Sequence, residues 1–190
     1  MTKSNQAYPT DLNDTEWAQI APYLPEPSLS GRPREIAWRE IMNGIFYMVK
    51  NGCVWRALPH DYPAWQTIYY YFRLFQKNQL WEKLNTIIRE QVRVKAGRDS
   101  QASAMIIDSQ SAKSAEGGEE IGFDGGKLVR GRKRTLITDT LGLVVLAKVT
   151  AANKADVNIG KEALVDLKAK PELIKRLKKY LRMAAIVVNY

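Results

Sequence analysis

The stretch SAMIIDSQSAKSA, residues 103 to 115, holds one carboxylate, Asp108, directly behind the apolar run Ala104, Met105, Ile106 and Ile107. An acid at the end of a buried apolar run is placed to hold a divalent cation against a phosphodiester. That chemistry works best when two metals roughly 4 Å apart are bridged by several carboxylates, so that one activates the attacking oxygen and the other stabilises the leaving one. One acid does not organise such a pair, because hard cations keep their waters unless several oxygens replace them. The partners of Asp108 are therefore the first question. Asp139 and Asp156 lie downstream. Asp139 falls in DTLG, where turn chemistry accounts for it, and Asp156 stands where a helix begins, which an N-cap accounts for.

A second chemistry is carried by cations. KLVRGRKR sets Lys127, Arg130, Arg132, Lys133 and Arg134, five cations, into eight residues. Such a cluster suits backbone phosphates, each contact adding about one unit to the salt dependence of binding. AWQTIYYYFRLFQKN mixes Gln66, Thr67, Tyr70 and Arg73 with aromatics. A helix there would offer Gln and Arg to base edges and Thr and Tyr to phosphate, while Trp65, Tyr69, Phe72 and Leu74 pack inward. The chain has 29 Lys and Arg against 20 Asp and Glu, a formal charge of +9, which favours a polyanionic partner. Cys53 and His60 are the sole residues of their types, so an internal disulfide and the four-cysteine and two-cysteine, two-histidine zinc sites are excluded. No run approaches the length needed to cross a bilayer, and the first ten residues are too polar for a secretory segment, which predicts a cytoplasmic protein without a membrane partner.

The elements that must position these groups fall into two halves. LNDTEWAQIAPYLPEP opens on the capping residues Asn13 and Asp14 and ends at prolines, predicting one short helix. EIAWREIMNGIFYMVKNG repeats apolar residues at helical spacing, at Ile36, Ala37, Ile41, Ile45, Met48 and Val49, and stops at Gly52. Two further amphipathic segments follow, broken near Asn78. Trp55 and Arg56, in the connector before them, suit either bracing or a DNA contact. The expectation is a helical domain over 1–97, a small polar linker over 98–103, and a third region, 104–190, where apolar residues come in short runs. There 104–108, KRTLITD and LVVLAKVT read as three strands, the last two joined through DTLG. ADVNIGKEALVDLKAK reads as a helix capped by Asp156. The predicted class is α+β: an all-α, helix-turn-helix-like domain followed by three strands and a helix, the first half of an RNase-H-like domain.

Read together, YPTDLNDTEWAQIAPYLP, the run from GRPRE through WRALP and AWQT to LWEKL, IIDSQSAKSA and GRKRTLITDTLGLVVLAKVTAANKAD resemble a bacterial insertion-sequence transposase of the DDE class. The resemblance runs from residue 8 to about residue 179. It implies a catalytic domain in which two Asp and one Glu hold two divalent metals, Mg2+ or Mn2+, and it implies that the enzyme cuts and joins the ends of a mobile DNA element. Asp108 matches the family's first Asp, and GRKR falls within the match. The implied partners are the terminal repeats of the element, with full-length transposase or a second copy of this chain. The implied location is the bacterial nucleoid.

The resemblance stops abruptly. The family's second Asp follows the helix near Asp156, on a strand with the pattern apolar, Ala, Asp, Gly, Gly, Tyr, whereas this chain reads KKYLRMAAIVVNY with no acid after Glu172. If the codons for Tyr180 to Tyr190 are read one nucleotide earlier, synonymous choices permit IFADGGYRGEL. Met183 and Ala184 then allow only Gly after the Asp, and Leu177, Lys178 and Lys179 can be written CTA AAA AAG, a slippery heptamer. The expectation is an unshifted product of a split transposase frame, by programmed frameshifting or a disabling mutation, inactive alone and needing Mg2+ only when completed. A second expectation, of another class, is a non-catalytic DNA-binding regulator of transposition.

Overall fold

The computed structural model describes residues 8–26, 35–114 and 119–177, together with the backbone of 179–182. Its contacts divide the chain into two compact units, the first up to Leu84 and the second from Asn85.

The first unit is helical. Helix α1, Asp14–Ile20, starts at Asn13, whose side chain accepts from the Glu16 amide while the Glu16 carboxylate accepts from the Asn13 amide. This reciprocal cap satisfies two of the donors a helix start leaves open. Helix α2, Trp38–Asn51, ends where Gly52 adopts the left-handed conformation. It begins after Ile36 and Ala37, and it buries Ile41, Met42 and Ile45, while Val49 is exposed. Helix α3 spans Trp65–Lys77, and helix α4, Leu80–Lys95, begins in this unit and continues from Asn85 as part of the second. The core is Ile41, Met42, Ile45, Ile68 and Phe75, each burial contributing roughly 1.5–3 kcal/mol. The inward stripe of α3 is thus Ile68 and Phe75, not the predicted Trp65, Tyr69, Phe72 and Leu74, which are half-buried or exposed. Gly44 lets α2 and α3 close up: a Cβ there would meet the Ile68 Cδ1 at 2.3 Å. Trp55 packs edge-on against Tyr69 and at a tilt against Phe72, so it braces the connector.

Among its described residues the second unit builds a five-stranded sheet packed against helix α5, an RNase-H-like α+β architecture. Strand β1 is Ala104–Lys113, β2 Gly122–Asp124, β3 Val129–Asp139, β4 Val144–Ala151 and β5 Lys179–Arg182, with α5 at Asp156–Lys168. The order is β2-β3-β1-β5, with β4 also paired to β3. All pairings of β3 are antiparallel, and β5 lies parallel to β1 after the crossover through α5. Met105, Ile107 and Ile137 pack with Ala163 and Leu167 of α5. Arg93 fastens the end of α4 to this sheet: it pairs with the fully buried Asp139 at 2.6 Å and donates to the Asp99 carbonyl at 2.8 Å.

Two strands are longer than the sequence predicts, and two more were not read as strands. β1 continues through SQSAK to Lys113 because Thr135 back to Gly131 pair with Ser109 to Lys113. Asp108 therefore sits in mid-strand, not at its end. From Val129 on, KLVRGRKR is the first half of β3. β2 lies in a segment for which the sequence predicts no strand, and β5 in the tail where the resemblance ends.

Candidate nucleic-acid interface and carboxylate site

In a strand, alternate residues face opposite ways, and register partners share a face. Asp108 pairs with Leu136, Gln110 with Arg134 and Ala112 with Arg132, so these six residues share the face turned away from Met105, Ile107 and α5. Arg130 has the same parity on β3. This open face thus carries Asp108 and three of the four predicted β3 cations, all three exposed or half-exposed. Arg134 donates to the Gln110 amide oxygen at 3.0 Å and Arg132 to the Glu119 carbonyl at 3.0 Å, which orients both guanidinium groups without neutralising them. Asp108 is exposed, and among the described residues it makes no side-chain hydrogen bond or ion pair.

Lys133 is separated from its neighbours. It has the parity of Gly131, Thr135 and Ile137, is only 4% exposed, and lies on the face opposite Asp108. Its Nζ stands 2.8 Å from the Asp156 carboxylate, 3.2 Å from that of Asp124 and 2.9 Å from the Lys154 carbonyl. Burial removes it from the predicted phosphate contacts. Asp124 accepts from the Ser111 hydroxyl at 2.6 Å and from the amides of Gly126 and Lys127. The Ser111 bond, the Lys127 amide and Lys133 hold its carboxyl well below the usual range, against the opposing effect of burial. Burial alone would raise Asp156, but the neighbouring Lys133 ammonium, the Ser109 hydroxyl and the charge of Lys127 outweigh it and lower its pKa. Burial pulls Lys133 down, and its two carboxylate partners more than reverse that.

Asp156 is the first residue of α5 rather than its cap: Ala155 is the N-cap, without a side-chain bond. Asp156 thus faces Lys133 behind the sheet, and Asp108 has the other face. Asp139 is a turn residue, as its sequence position predicts, accepting from the amides of Leu141 and Leu143 besides Arg93. Sequence reasoning missed Asp124. The available signal was parity: counting back by twos from the apolar Ile137 puts Lys133 among inward positions that need a buried counter-ion.

On α3, Gln66, Tyr70 and Arg73 recur at steps of four and three and are exposed, which lines them along one face. Thr67 is half-buried beside that line. Arg56 lies over the Trp65 ring, 5.6 Å from its centroid, adding a cation beside the start of the helix. This face has the length and chemistry to enter a DNA groove.

Among the described residues no three of His, Cys, Asp and Glu gather to hold a metal ion. The carboxylate of Asp108 has Leu136 opposite it and Ile106 and Gln110 beside it on its face, and this donor set does not fit two divalent cations. No helix among the described residues is long and apolar enough to cross a membrane.

Comparison with known proteins finds two family models that match separate parts of the chain. Residues 12–85 match a family model described as "Putative transposase of IS4/5 family", and residues 99–181 match the transposase DDE domain. The chain is similar to the insertion element IS402 uncharacterized 16.2 kDa protein of Burkholderia cepacia, at 26% identity over 121 residues, covering 58% of this chain and 78% of that protein. No solved structure matches. Between them the two matches span most of the chain, and this similarity is consistent with a transposase family and with a DNA-binding function connected to transposition.

Proposed function

We propose that this chain is a DNA-binding product of an insertion-element transposase gene that bears the first carboxylate of the DDE site and does not itself cut DNA. The observation that carries the reading is a register. β5 lies parallel to β1 and their pairing runs from Ala104–Lys179 to Ile107–Arg182. The next residue in sequence on one strand is Asp108, and on the other it is Met183. In the shifted-frame peptide IFADGGYRGEL, which replaces residues 180 to 190, the Asp falls at position 183. Continued by one step, the same register would set that Asp beside Asp108, which is the juxtaposition a shared cation needs. The DDE-domain match ends at residue 181, next to the point where the two frames would part. Mg2+ or Mn2+ belongs to that completed product.

The reading gives the chain's own residues definite work. Arg130, Arg132 and Arg134 would hold backbone phosphates over the open face of the sheet. Gln66, Tyr70 and Arg73, with Thr67 beside them, would enter the groove of the element's terminal repeats. A chain that keeps both surfaces and one carboxylate would occupy element ends in the bacterial nucleoid without cleaving them. That favours the second reading, a regulator that competes with full-length transposase or joins it in a mixed assembly. Reading the gene across codons 175 to 200 tests the split frame: codons that cannot encode Ala-Asp-Gly-Gly one nucleotide earlier would remove it. A mobility-shift assay on the terminal repeats tests the regulator, with binding expected and its absence contradicting the reading.

A further inference from the structure

We propose that Lys133 is a built-in cation: its ammonium fills an oxygen-lined site behind β1 and holds the stretch of that strand that presents Asp108. This inference is independent of whether the chain cuts DNA. An ammonium has three protons to place, and Lys133 has three oxygens within 3.2 Å, from Asp156, Asp124 and the Lys154 carbonyl. A compact, strongly hydrated charge is kept out of water only when oxygens replace its hydration shell. Two carboxylates, a carbonyl and nearby hydroxyls are also the donors a hard divalent cation selects. The lysine occupies what would otherwise be a metal-like cage.

The cage reaches the strand beside Asp108 through Asp124, which accepts from the hydroxyl of Ser111, three places after Asp108. Lys127 adds a bond from its Nζ to the Ser109 carbonyl at 3.2 Å. Segments far apart in sequence converge on one ammonium: β1 through Ser111 and its bond to Asp124, β2 through Asp124, β3 through Lys133 itself and α5 through Asp156. The same contact pins the first turn of α5, the helix that leads the chain across to β5. Lys133 is therefore a positioning residue, acting on the Asp108 face through the strand from the side opposite to it.

The wild-type protein offers the first test, by NMR of lysine side-chain ammonium groups at neutral pH. Lys133 should give a slowly exchanging resonance, and Asp156→Asn should speed its exchange at least tenfold. Exchange as fast as at the exposed Lys50 or Lys95 would overturn the proposal. The second test empties the site with Lys133→Ala and adds Mn2+. Paramagnetic broadening should centre on the amides of Ser109, Ser111, Asp124 and Asp156, and it should vanish in the wild type and in Lys133→Ala/Asp156→Asn. Broadening elsewhere, or equal broadening in the wild type, would count against a cation cage. If Lys133→Ala does not fold, the wild-type exchange measurement still decides. Positioning has its own readout in the Asp108 side-chain carboxyl shift. It should move in Lys133→Ala, return with Mg2+, and stay in place in Arg93→Ala, which loosens the same sheet elsewhere. Equal movement in both variants would reduce Lys133 to a general stabiliser and overturn the positioning role.

Discussion

Lys133 and Arg134 are consecutive in β3 and do opposite things: Lys133 is enclosed by Asp124 and Asp156 behind the sheet, and Arg134 reaches across the open face to Gln110. Their variants should separate accordingly. Arg134→Ala should weaken duplex binding and lower the slope of log affinity against log salt by about one unit. Lys133→Met should leave the slope unchanged and cost about 3 kcal/mol of stability, since it strands two carboxylates. Fluorescence anisotropy at several salt concentrations, with urea unfolding of each variant, checks both. A reduced slope in Lys133→Met would return that lysine to the DNA surface.

The same cluster sets a pH dependence. Asp124 and Asp156 have pKa values lowered in the folded chain, so their stabilisation is complete above the unfolded value of about 3.9 and is lost as pH falls through the lower folded values. Lys133 is raised, so its share is complete below about 10.4 and is lost as pH rises through the higher folded value. Urea midpoints should hold level between about pH 5 and pH 10 as far as this cluster is concerned. Asp124→Asn should flatten the acid limb, and an unchanged limb would show that the acid sensitivity arises elsewhere.

Gly131 is required by a close approach of strands. A Cβ there would meet the Ala112 carbonyl oxygen at 2.0 Å and the Ser114 amide nitrogen at 2.8 Å, and both are backbone atoms that cannot swing aside. Gly131→Ala should cost about 1–3 kcal/mol, and the loss should show as faster amide exchange where β1 and β3 pair. Exchange at wild-type rates would contradict the tight pairing.

Arg93 and Asp139 form a buried pair with a turn built on it. Arg93→Ala leaves the Asp139 carboxylate without its cation and should cost about 3–5 kcal/mol. Arg93→Lys should recover little, because one ammonium does not reproduce the bonds Arg93 makes to Asp139 and to the Asp99 carbonyl. Recovery to wild-type stability in the lysine variant would show that charge alone matters there.

Helices were legible because their signals are local. Asn13 with Glu16 marks a start, Gly52 marks a stop, and apolar spacing fixes α2 to within a few residues. The strands were less so, because pairing rather than composition makes them. SQSAK and GRKR have no apolar alternation, yet each is strand because the other lies beside it. The prediction that Asp108 ends a strand failed for that reason. The candidate site was half legible. The identity of Asp108 and the basic run could be read directly. That Lys133 turns inward while Arg130, Arg132 and Arg134 turn outward follows only once β3 is known to be a strand. Parity signals that Lys133 needs a buried counter-ion, but that Asp124 supplies it follows only from the tertiary pairing that brings Ser111 and Lys133 to it.

The central claim is that Asp108 is one member of a cation-holding set whose next member this chain does not supply at position 183. The most direct measurement is strand cleavage on the element's terminal repeats in Mg2+, comparing this 190-residue chain with the product carrying IFADGGYRGEL and its downstream continuation. The account predicts that the first binds without nicking, and that the second nicks and stops doing so when Asp108 becomes Ala. Nicking by the 190-residue chain that is abolished by Asp108→Ala would contradict it.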